Sequence, residues 1–163
     1  MIQSYSVLAA RIRLELESLN KTVSRIEKAR NARTENSENQ ELFLDSIALG
    51  IHDFYTGLER IFTQIATVVD GSMPSGKDWH RDLLIQMNIS INGTRTRIIS
   101  TEIMQSLDEY RRFRHLIRNI YAFELDPDKI QPLVSKLNHI FADLKTELLN
   151  FVNWLENVEN DEE

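Results

Sequence analysis

The feature that most constrains this chain is a spacing of apolar residues in steps of three and four that persists for tens of residues. Near the N-terminus Ile2, Tyr5, Leu8, Ile12, Leu16, Leu19, Val23 and Ile26 form one such series. A backbone that turns every 3.6 residues lines these side chains up as a single stripe. Leu44, Ile47, Ile51, Phe54, Leu58, Ile61, Ile65 and Val68 repeat the pattern, as do Ile130, Leu133, Leu137, Ile140, Leu144, Leu148, Phe151 and Leu155. Strands need alternation by two, and no sustained alternating segment is found. Helices with one apolar stripe each must bury it against one another. The chain therefore reads as all-α, an antiparallel bundle of four long helices and one short one.

Punctuation divides the stripes. The polar stretch 31–39 reads as a loop, and 70–76 contains both glycine and proline and must be a break. A short helix over roughly 78–87 carries Leu83, Leu84 and Met87; the stretch 88–99 lacks helical periodicity and holds the turn signal Asn92-Gly93. Ser100 or Thr101 caps a helix whose apolar face includes Ile103, Leu107, Phe113, Leu116, Ile117 and Ile120. That helix runs to about 125, where Asp126-Pro127 ends it and starts the next, since aspartate suits a cap and proline a first turn. With no internal repeat, residues 1–163 are read as one domain with an acidic tail over about 156–163.

Apolar residues make up 42% and charged residues 27%, the balance of a chain that folds around a core. There is no cysteine, which excludes disulfides, thiolate zinc sites and cysteine catalysis and fits a reducing cytoplasm, the expected location. No apolar run approaches bilayer length, and residues 1–10 lack the basic-then-apolar order of a signal peptide. Four scattered histidines show no metal-ligand spacing, and there is no phosphate-binding glycine loop, so no metal or cofactor is expected. His52 and His139 are read as packing or surface positions. Trp79 is read as a packing anchor with His80 partly exposed beside it. The net charge of −6 argues against a protein that coats nucleic acid through long-range attraction.

The sign is uneven, however: Arg111, Arg112, Arg114 and Arg118 crowd one stretch. On a wheel advancing about 100° per residue, Arg114, His115 and Arg118 fall within about 60° of Arg111. Phe113, Leu116, Ile117, Ile120 and Phe123 are expected opposite, facing the core, with Asn119 and Tyr121 flanking the basic stripe. The bland reading is a solvated face paired to Asp108, Glu109 and Glu124. Those acids are too few for four arginines, and crowded guanidiniums become favourable when they share an anion such as phosphate.

The run Phe113-Arg114-His115-Leu116-Ile117-Arg118-Asn119-Ile120-Tyr121 resembles the signature of the HEPN superfamily, specifically HepT-like toxins. Its pattern is arginine, a polar residue (often asparagine), three residues, histidine, one residue, tyrosine. Arg114 and Tyr121 match directly; His115 stands where asparagine is common, and Asn119 where histidine is expected. The flanks Asp78-Trp79-His80-Arg81-Asp82-Leu83-Leu84 and Tyr121-Ala122-Phe123-Glu124-Leu125-Asp126 extend the resemblance over roughly 71–126. It implies a HEPN-like bundle and a metal-independent ribonuclease, a toxin assembled as a homodimer. The implied partner is a small nucleotidyltransferase antitoxin that adenylylates the motif tyrosine, here Tyr121. Arg114, His115 and Asn119 become the candidate catalytic residues, with Arg111 and Arg118 for phosphate or RNA binding. Two readings of the exchange stand side by side. Either His115 transfers protons from its new position, or the chain is an inactive dimeric helical subunit that binds a nucleotidyltransferase or its ligand, since an amide at Asn119 cannot exchange protons near neutral pH.

Overall fold

The stripes become five α-helices in the computed structural model, which describes residues 2–118 and 124–161. These are α1 (Ile2–Glu35), α2 (Gln40–Ile65), α3 (Trp79–Asn88), α4 (Thr101–Ile117) and α5 (Pro127–Asp161). Among the described residues there is no strand, only an isolated antiparallel bridge between Ile91 and Arg95, so the all-α expectation holds. No helix among them is long and apolar enough to cross a membrane.

Neighbouring helices run antiparallel. Leu19 and Ile26 of α1 lie against Gly57 and Gly50 of α2, in reverse order. A Cβ on Gly57 would come within 2.8 Å of Leu19 Cδ2, so the missing side chain is what lets the two backbones approach. The return of α5 along α1 is marked by the Arg13–Glu156 ion pair at 3.0 Å. It runs opposite to α4 as well, with Tyr110 bonded to the Leu133 carbonyl and Lys136 to Glu109. Every other helix packs on α2. It is accordingly buried on more than its predicted stripe, with Tyr55 and Phe62 fully covered.

Four expectations need correction. The loop predicted over 31–39 shrinks, because α1 continues to Glu35; polar composition is no stop signal where alanine and arginine propagate the helix and no proline or glycine interrupts it. Val68 faces solvent and Val69 is buried in its place. The end of α2 passes into a π-helical turn over Ala66–Asp70, and its extra residue per turn rotates the stripe by one position. Leu116 is 40% exposed rather than part of the core. Finally, α4 stops at Ile117 with Arg118 as its C-cap instead of running to 125; Ile120 and Phe123 lie outside the described residues. The caps behave as read. Ser100 Oγ accepts from the Ile103 N–H at 3.3 Å, Asp126 Oδ1 accepts from the Asp128 N–H at 2.9 Å, and Pro127 opens α5.

The aperiodic stretch 88–99 is held by Arg95, by Asn88 Nδ2 donating to the Ile99 carbonyl and by Ser90 Oγ accepting from the Arg97 N–H. Arg95 donates from Nε and Nη2 to the two oxygens of Asp70 at 2.7 Å each, and to the carbonyls of Gln86, Ile89 and Thr96. Both side chains of this pair are only 1% exposed. Gln86 of α3 donates to the same aspartate. Asp70, at the end of the π turn, thus ties the last turn of α3 to the C-terminal end of α2.

Candidate functional site

On α4, Ile103, Leu107 and Tyr110 are buried, at steps of four and three. The next step of four lands on Arg114. The core-facing side of the helix therefore runs through Arg114, whose place on the wheel, about 300° from Arg111, is beside Leu107 at about 320°. The basic stripe is split rather than shared. Arg114 turns into the seam between α2 and α4, with its side chain 14% exposed, whereas His115, Leu116 and Arg118 are exposed.

A cation placed in a core stripe needs partners from the opposing helix. Arg114 Nε donates to Thr56 Oγ1 at 2.9 Å, and its Nη1 lies 3.7 Å from Glu59 Oε1. Thr56 and Glu59 stand one turn apart on α2, which presents them on one face. The carboxylate of Glu59 is 8% exposed. Its other oxygen, Oε2, meets His80 Nδ1 at 2.7 Å. His80 is the second residue of α3, 27% exposed, with its imidazole stacked on the Trp79 ring at 3.6 Å between centroids. Three helices thus meet at one buried carboxylate that faces a guanidinium on one side and an imidazole on the other. Tyr55 belongs to the same neighbourhood: burial raises its phenol well above the ordinary value, Glu59 and Asp108 add to the rise, and Arg111 and Arg114 oppose it.

The other sequence candidates fall around this centre. Arg111 Nε donates to Asp108 Oδ1 at 2.7 Å, and Arg112 shares that carboxylate at 3.2 Å, so the nearest acid of the bland reading takes two of the four arginines. Glu109 is used by Lys136. Arg118 lies along an open hollow with His52, Asp45, Leu49, Ile117 and Leu125. Asn119 and Tyr121 lie outside the described residues. Among those described, no three His, Asp or Glu side chains gather as a metal site would require.

A family model described as HepT-like protein matches residues 46–155, from within α2 to near the end of α5. The chain is a HepT-like protein. The match contains every residue of the seam, from Thr56 and Glu59 through His80 to Arg114, and it bears out the resemblance drawn from the motif and its flanks. Neither the curated proteins nor the solved structures gave a match.

Thr56 and Glu59 of this HepT-like protein were not singled out in the sequence, and His80 was given no part in the chemistry. One signal was available. Glu59 sits among Phe54, Tyr55, Leu58, Ile61 and Phe62, and an acid inside so apolar a run is tolerated only with a cation or donors against it. The identity of that cation, 55 residues further along the chain, is a matter of tertiary packing.

Proposed function

We propose that this HepT-like protein is the toxin of a toxin–antitoxin pair, an endoribonuclease that cuts RNA without a metal ion and works as a homodimer. A small nucleotidyltransferase controls it by adenylylating Tyr121. The observation that carries the reading is Arg114, a guanidinium fixed in the α2–α4 seam by Thr56 and Glu59 at the arginine position of the HEPN motif. A cation held in place before the substrate arrives stabilises charge that grows on phosphate oxygens in the transition state, with no reorganisation left to do. Arg111 on α4 and Arg118 at its C-cap, about a turn to either side, supply the flanking positive potential for the RNA backbone. Tyr121 follows Arg118 by three residues in the sequence, and a nucleotide added there brings a bulky anion to this cationic segment of the chain. Two copies complete the site, because self-complementary surfaces bring the motif helices of both chains together.

Asn119 at the expected histidine position favours a second reading, an inactive dimeric subunit that binds the nucleotidyltransferase. The test is incubation of the purified protein with single-stranded and hairpin RNA in the presence of a chelator. Cleavage to 2′,3′-cyclic phosphate and 5′-hydroxyl ends is expected, insensitive to the chelator and reduced about 100-fold or more by Arg114→Ala. RNA that stays intact under all these conditions selects the second reading.

A further inference from the structure

Outside the motif helix, one histidine is built into the seam. We propose that His80, oriented by Glu59, is the proton-transfer group of the RNA-cleaving site, an inference that rests on the ribonuclease reading above. The 2.7 Å contact between Glu59 Oε2 and His80 Nδ1 places the imidazole hydrogen on Nδ1 and leaves the Nε2 lone pair to act as a base. Glu59 is a positioning residue in this scheme. Its burial and its second contact, to Arg114, prevent it from swinging away, and its charge stabilises the imidazolium that forms when Nε2 takes a proton. The Trp79 ring lying against the imidazole limits rotation of the histidine. Imidazole and guanidinium take opposite oxygens of one carboxylate, so a proton acceptor and a phosphate-binding cation are held by the same side chain. His115 is the alternative base by motif, but it is exposed on the outer side of α4 while Arg114 turns inward.

The 2′-hydroxyl proton passes to His80 Nε2 while O2′ forms its bond to phosphorus and the bond from phosphorus to the 5′ oxygen breaks. The departing oxygen takes a proton from water, and the hydroxide left behind is neutralised by the His80 imidazolium. A 2′,3′-cyclic phosphate and a 5′-hydroxyl remain, with Arg114 facing the charge on the non-bridging oxygens meanwhile.

The experiment is a pH–rate profile on an RNA oligonucleotide for the full chain and for His80→Gln, His80→Ala and Glu59→Gln, with a thermal melt of each. His80→Gln should lose about 100-fold or more in kcat, in line with the size of general base catalysis, and lose the acidic limb of the profile. Added imidazole should partly restore His80→Ala. Glu59→Gln should lower kcat with KM little changed, because the ring loses the carboxylate that orients it. The charged groups around the ring are Glu59 from α2 and, behind it, Arg114 from α4; Asp78, Arg81 and Asp82 at the start of α3 are exposed. Should a variant fail to fold, long-range proton–nitrogen NMR on the wild type answers the question: the His80 ring should carry its hydrogen on Nδ1, facing Glu59, with Nε2 bare. An active enzyme whose limb tracks His115, or which cleaves undiminished as His80→Gln, overturns this inference alone. A wild type that leaves RNA intact overturns the ribonuclease reading and this inference with it.

Discussion

Tyr55 and Tyr110 illustrate what one side chain contributes in this core. Burial raises both phenols above the ordinary value near 10, and Tyr110 also donates its hydroxyl to the Leu133 carbonyl at 2.6 Å. The folded state keeps these protons where the unfolded chain sheds them, so the sign is fixed. Their contribution is complete below about pH 10 and declines as pH rises further, because the unfolded state then binds fewer protons. Ultraviolet titration of tyrosinate should therefore show these two phenols ionising only together with loss of the helical circular dichroism signal. Ionisation of all four tyrosines in a fully helical protein would contradict their burial. At this same scale Glu59 was the legible residue and Arg114 the deceptive one. An acid in an apolar run announces a partner, whereas an arginine among arginines reads as surface until the steps from Ile103 through Leu107 and Tyr110 are followed to it.

Among the elements, helix existence and direction were legible because the three-and-four spacing is the direct image of burial. Endings were less so. The π turn over Ala66–Asp70 moved Val69 into the core for Val68, and nothing in the local composition marks it. The stretch 88–99, featureless by periodicity, is organised by Arg95 reaching Asp70, a long-range pairing that no local pattern encodes. Removing one member of a buried pair strands the other, so Asp70→Ala or Arg95→Ala should each cost about 3–5 kcal/mol, while the double variant should cost less than the two together. Thermal melts of the three variants measure this. Strict additivity would mean the pair does not act as a unit. Because α3 carries Trp79 and His80, the single variants should also loosen the seam and lower activity beyond their effect on stability.

The whole molecule places its cations economically. The chain is acidic overall, with a net charge of −6, so long-range attraction works against RNA and any affinity has to be local. That localisation is the central claim: a phosphate meets Arg114 in the α2–α4 seam rather than a diffuse basic surface. The bundle and α4 as far as Ile117 were legible in the sequence; the seam was not, since Thr56, Glu59, His80 and Arg114 come from three helices and meet only through packing. The most direct test is fluorescence anisotropy of a labelled RNA oligonucleotide carrying 2′-deoxy sugars, which binds without being cut, titrated at several salt concentrations. Arg112 is the matched control, an exposed arginine on the same helix, occupied with Asp108. Arg114→Ala should weaken binding about tenfold or more and flatten the salt dependence by roughly one phosphate contact, while Arg112→Ala stays within about twofold of wild type. Equal losses from the two substitutions, or none from Arg114→Ala, would contradict the account.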